Sequence, residues 1–68
     1  MEFTIQYLGT HDRLLYLEEI SANELVDVLN RARTVLKELQ PDGDPQPIGY
    51  VILDNRGRQA ARGYRRDA

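Results

Sequence analysis

Residues 48–66, IGYVILDNRGRQAARGYRR, decide how the rest of the chain is read. The first part, IGYVILD, is strongly β-prone, and it runs into Asn55-Arg56-Gly57. That tripeptide suits a three-residue hairpin loop with Gly57 in the left-handed conformation. Such a loop predicts four cross-strand pairs: Asp54 with Arg58, Ile52 with Ala60, Tyr50 with Arg62, and Ile48 with Tyr64. They amount to an ion pair, an apolar pair, a cation over a ring and an apolar–aromatic pair. The opposite face would pair Val51 with Ala61 and Gly49 with Gly63, small residues that let a helix approach. Arg58, Arg62 and Arg66 share a parity, which sets them together away from the helix. Charged residues on a terminal strand discourage edge-to-edge pairing, so this run reads as an edge strand.

Working outward, residues 21–40 (SANELVDVLNRARTVLKELQ) predict an amphipathic helix. Ser21 and Glu24 have the spacing of a capping box. Leu25, Val28, Leu29, Ala32, Val35, Leu36 and Leu39 recur at helical spacing and form one apolar stripe. Asp27 and Arg31 make a favourable i,i+4 pair on another face. Prolines and glycine in PDGDPQP, residues 41–47, forbid continuation. Upstream, Phe3, Ile5 and Tyr7 alternate with Glu2, Thr4 and Gln6, the period of a half-buried strand. GTHD reads as a turn and RLLYLEEI as a second strand, closing an antiparallel hairpin.

The predicted architecture is therefore α+β, ββαββ: hairpin 2–20, helix 21–40, loop 41–47 and hairpin 48–66 in a single small domain. One amphipathic helix packs on one face of a four-stranded, mainly antiparallel sheet. The strand order is 2-1-3-4 if the helix returns the chain across the first hairpin, and 1-2-3-4 otherwise. Sixty-eight residues lie near the lower limit for independent folding. With no cysteine in the chain, disulfides and thiolate metal sites are excluded. No apolar run is long enough for a membrane helix, and no signal peptide is evident at the N-terminus. These features lead to the expectation of a cytoplasmic protein.

Catalytic parts are scarce. His11 is the sole histidine and sits in a turn beside Asp12, where a general base would lack a positioned partner. Glu18 with Glu19, and Asp42 with Asp44, are the acidic clusters. The D-G-D of residues 42–44 lacks the further carboxylates of a calcium loop. No phosphate-binding glycine motif is present. The expectation is a protein that is not an enzyme, with no cofactor, no metal and no small-molecule substrate.

Charge is unevenly placed. Residues 1–44 carry nine acidic and four basic side chains, and residues 45–68 carry two acidic and five basic, within a formal net charge of −2. A nucleic-acid contact through Arg56, Arg58, Arg62, Arg65 and Arg66, helped by Arg33 and Lys37, is one reading of this asymmetry. The net acidity favours another. With Phe3, Ile5, Tyr7, Leu15, Leu17, Val51, Leu53 and Ala61 assigned to the face under the helix, the far face would hold Leu14, Tyr16, Ile48, Tyr50, Ile52 and Tyr64, with Leu8 and Ile20 at its margins. One helix cannot cover both faces, and large exposed apolar patches mark interaction sites. The expected function is a non-enzymatic protein-interaction module: an adaptor, inhibitor or accessory subunit. It would form a homodimer or dock on a larger protein through the outer sheet face, using Tyr16, Tyr50, Ile52, Arg62 and Tyr64.

Overall fold

The alternation of Phe3, Ile5 and Tyr7 with polar residues builds an inner strand, β1 (Glu2–Leu8), in the computed structural model, which describes residues 1–38 and 47–64. A single 3-10 turn, Thr10–Asp12, leads into β2 (Leu14–Ser21). Within that turn His11 (φ 59°, ψ 31°) and Asp12 (φ 56°) are left-handed, a region that His and Asp enter more readily than most residues. The helix α1 (Leu25–Glu38) follows, then β3 (Gly49–Leu53) and β4 (Gln59–Tyr64). All strand pairs are antiparallel, and the order is β2-β1-β3-β4. This is the ββαββ arrangement with the helix on one sheet face, and it resolves the two candidate orders in favour of 2-1-3-4.

The helix stripe is as the spacing demands. Val28, Ala32 and Leu36 are buried, flanked by half-buried Leu25, Leu29 and Val35. They pack on Phe3, Ile5, Tyr7, Tyr50 and Ile52 of the two central strands. Full burial of a side chain of this kind stabilises the fold by roughly 1.5–3 kcal/mol. Leu39, the loop residues 41–46 with Asp42 and Asp44, and Arg65 and Arg66 lie outside the described residues.

The helix begins later than its capping signal implied. Ser21 is still strand, opposite Glu2, and the Ala22 N–H continues the ladder to the Met1 carbonyl at 2.9 Å. Ser21 therefore cannot cap a helix that starts at Leu25, and Glu24 holds the position before the first helical residue. Strand pairing outcompeted the cap because Glu2 and Met1 offer partners to Ser21 and Ala22.

The loop at Gly57 is built as expected. The Asp54 N–H bonds the Arg58 carbonyl (2.8 Å), the Gly57 N–H bonds the Asp54 carbonyl (3.0 Å), and Gly57 has φ 80°. Beyond it the register departs from the expected one. Leu53 faces Gln59, but Ile52 faces Ala61, so Ala60 is a bulge. An extra residue in one strand moves each later side chain to the other face. Tyr50 thus meets Gly63 rather than Arg62, Gly49 rather than Ile48 meets Tyr64, and Val51 meets Arg62. A second bulge, at Leu15, lies between the Tyr7–Tyr16 and Leu8–Leu14 pairs.

Candidate interaction surface

Cross-strand register sorts the side chains into two faces, because residues directly opposite in an antiparallel sheet share a side. Toward the helix run the rows Tyr16–Tyr7–Tyr50–Gly63, Glu18–Ile5–Ile52–Ala61 and Ile20–Phe3. Away from it run Leu14–Leu8–Gly49–Tyr64, Leu17–Gln6–Val51–Arg62 and Glu19–Thr4–Leu53–Gln59.

This overturns part of the expected surface. Tyr50 (5% exposed) and Ile52 (0%) lie in the core under the helix, not on the outer face. Leu17, Val51 and Leu53 take the outer face, and half-buried Leu15 sits at the bulge. The cause is the strand-to-strand register. Ile52 stands opposite Ile5, and Tyr50 opposite Tyr7, so they share the side that β1 turns to the helix. Tyr16, Arg62 and Tyr64 are exposed, though on different sides: Tyr16 on the helix side, Arg62 and Tyr64 on the outer one.

The signal that would have found this register is the repeated Gly-Tyr dipeptide, residues 49–50 and 63–64. Set antiparallel, two such dipeptides place each tyrosine over the other strand's glycine. A Cβ on Gly63 would come within 2.6 Å of Tyr50 Oη, and one on Gly49 within 2.8 Å of Tyr64 Cδ1. The glycines are therefore seats for the two rings, one on each face, and not a smooth patch beneath the helix. An aromatic ring laid over a strand glycine also pins the register.

Around Tyr64 the outer face is tied together. Arg62 Nη2 donates to Tyr64 Oη at 2.7 Å, and the Tyr64 hydroxyl donates to Asp12 Oδ1 at 3.2 Å. Asp12 also lies 3.8 Å from Arg62 Nη2. The guanidinium carbon is 5.4 Å from the centre of the Tyr64 ring, so the cation-over-ring contact forms with Tyr64 and not with Tyr50. Arg56 and Arg58 are exposed at the hairpin tip, where their backbone N–H groups both bond Asp54 Oδ1 at 2.9 Å. Those two bonds, Arg58 first, hold the Asp54 carboxyl below its ordinary range.

A second cluster ties the edge strand to the helix. Arg31 spans both oxygens of Glu18, with Nη2 2.8 Å from Oε2 and Nε 3.0 Å from Oε1, and the Tyr7 hydroxyl donates to Oε1 at 3.2 Å. The Arg31 hydrogen bonds lower the Glu18 pKa, while partial burial opposes them. Burial first, and the Glu18 carboxylate second, push Tyr7 and Tyr16 above the ordinary phenol value. The Tyr7 and Tyr16 rings lie 4.8 Å apart, tilted by 34°.

No group of three or more metal-ligating side chains occurs among the described residues. An open hollow of about 440 Å³ is bordered by Glu2, Glu19, Asp54 and Phe3. No helix among the described residues is long and apolar enough to cross a membrane. Among the described residues the large exposed hydrophobic side chains are Met1, Leu14, Tyr16, Leu17, Val26 and Tyr64. Half of them belong to β2, which therefore carries the densest uncovered apolar surface.

No family model matches the chain, and no curated protein or solved structure matches it either.

Proposed function

We propose that the protein is a non-enzymatic interaction module of the cytoplasm, an adaptor, inhibitor or accessory subunit that works by docking on protein. The observation that carries this reading is the exposure of Leu14 (49%), Tyr16 (39%) and Leu17 (51%) along one edge strand. Leaving three large apolar side chains of one strand in water costs a small domain stability that it can ill spare, and association recovers it. Arg62 and Tyr64 extend the same outer face toward β4 and supply residue types enriched at protein interfaces. The arginines favour nucleic acid less. Among the described residues Arg62 is opposed by Asp12, and Glu2 and Glu19 share its face, so acidic groups are interspersed with the basic ones there.

Site-specific photo-crosslinking in cells expressing the protein tests the reading. A photoreactive residue at Leu17 should give discrete protein adducts, while the same residue at exposed Arg33 on the helix should not. Equal patterns at both positions would overturn it. So would a submicromolar, salt-sensitive complex with single-stranded DNA or RNA, measured by fluorescence anisotropy.

A further inference from the structure

β2 is the outermost strand of the sheet, and its exposed apolar side chains point to both sides of it: Leu14 and Leu17 outward, Tyr16 toward the helix side. A face-to-face contact would cover one set and leave the other in water. A strand laid alongside β2 would cover both. Among the described residues no strand pairs with its outer edge. The Ala22–Met1 hydrogen bond fixes the phase of the β1–β2 ladder. By the alternation of antiparallel bonds, Tyr16, Glu18 and Ile20 turn their N–H and C=O groups to β1, and Leu17 and Glu19 turn theirs away.

We infer that the partner at this edge is a second copy of the chain, with the two β2 strands pairing antiparallel about a two-fold axis at Tyr16 to make one eight-stranded sheet. The pattern of β2 selects that register. Because Leu15 is bulged, Leu14 stands opposite Leu8 in the place that an unbulged strand would give residue 15. With the axis at Tyr16, each Leu14 then faces the second copy's Leu17, Tyr16 faces Tyr16, and Arg13 meets the second copy's Glu18. Apolar groups face apolar groups, and opposite charges meet at both ends. An axis at Leu17 would set Leu14 against Glu19 and Tyr16 against Glu18. One at Glu18 would bring two carboxylates face to face, a destabilising arrangement. A symmetric contact of this kind closes at two copies, since pairing consumes the β2 edge of each. The inference rests on the interaction-module reading and names its partner.

Two variants and a mass measurement test it. The chain has no cysteine, so Tyr16→Cys introduces a single thiol at the axis, where facing side chains lie within reach of a disulfide. Mild oxidation should convert Tyr16→Cys to a covalent dimer and leave Arg33→Cys a monomer. Leu17→Lys places a charge on the edge at a position already half in water. It should weaken the dimer at least about tenfold in sedimentation equilibrium, with the far-ultraviolet circular dichroism of the single chain unchanged. A wild-type protein that stays monomeric at hundreds of micromolar overturns the self-pairing, while the Leu17 crosslinks to other proteins would still stand for the module. A dimer that survives Leu17→Lys and does not crosslink at position 16 overturns the β2 edge as its seat.

Discussion

The two edges of the sheet are finished in different ways. At β4, the exposed strand is made of small and polar residues, Gln59-Ala60-Ala61-Arg62, and its one large ring is fastened over Gly49 and bonded to Arg62 and Asp12. At β2, Leu14, Tyr16 and Leu17 stand half in water, and the strand's two charges, Glu18 and Glu19, come after them. An edge strand invites pairing unless charge, bulges or a cover discourage it. β4 has such protection: a bulge at Ala60, an arginine in mid-strand, and its one tyrosine locked over Gly49. β2 has its bulge at Leu15 but no charge in the Leu14–Leu17 run. The contrast supports the proposal that β2 is the strand that docks, although the arginine-rich β4 is the more conspicuous of the two in the sequence.

The strongest way to break this contrast is to fill the seat of a β4 interlock. In Gly63→Val a Cβ would fall 2.6 Å from Tyr50 Oη and 2.7 Å from Cζ, and Tyr50 is itself packed in the core. The ring cannot move without disturbing Tyr7 and Ile52 beside it. A loss of about 2–3 kcal/mol is expected in urea unfolding, typical of overpacking. Leu17→Thr on the β2 edge, measured dilute enough to be monomeric, should stay within about 0.5 kcal/mol. Equal losses would mean that β2 is as firmly built into the monomer as β4.

A smaller effect sharpens the account of how β4 is aimed. Around Gly57 nothing lies within 4 Å of an added Cβ, so any cost of substitution is that of φ 80° alone. Gly57→Val should lose about 1–2 kcal/mol, the order expected for a β-branched residue held in the left-handed region. Gly57→Asn should lose a few tenths, since asparagine tolerates that region. Similar melting temperatures for the two variants would show that the loop relaxes, and that the β3–β4 register is set by the Gly–Tyr seats instead.

The sequence made the element order, the helix stripe and the Asn55–Gly57 loop legible, because each depends on local chemistry: 3.6-residue spacing, strand alternation, and a glycine where φ is positive. Sheet faces were a different matter. They depend on counting residues across a loop, and Ala60, chemically identical to Ala61, gives no local sign of being the bulged residue. One miscounted residue moved Tyr50 and Ile52 from core to surface in the expectation, and moved Arg62 from Tyr50 to Val51 in the pairing. Leu15 hides the β2 bulge in the same way, within a run of apolar residues. Ser21 misled for another reason, since its capping signal competes with a strand partner, Glu2, from the preceding strand of the hairpin. The proposed interaction surface was legible as a composition, too much apolar surface for one helix to cover. It was not legible as a place.

The smallest predicted effect concerns how β2 is held to the rest of the monomer. The helix lies over β1 and β3, and Glu18 on β2 reaches it through the Arg31 pair. Both partners are partly exposed, 47% for Arg31 and 31% for Glu18, so the pair is worth about 0.2–1 kcal/mol. Its pH dependence has a definite sign. Hydrogen bonds from Arg31 depress the folded-state pKa of Glu18, so at neutral pH both folded and unfolded states are ionised and the pair contributes fully. As pH falls below about 4.3, the ordinary glutamate value, the unfolded chain takes up the proton first, and the contribution is lost through the folded-state pKa. Asp54 adds a slope of the same sign, but it does so equally in wild type and in Glu18→Gln. The stability difference between those two proteins should therefore be flat from about pH 5 to about pH 8, below the range where the tyrosines titrate, and shrink below the ordinary glutamate pKa. A difference that holds constant into acid would show that the pair does not tie the docking strand to the helix, and that the β1 ladder alone keeps β2 in place.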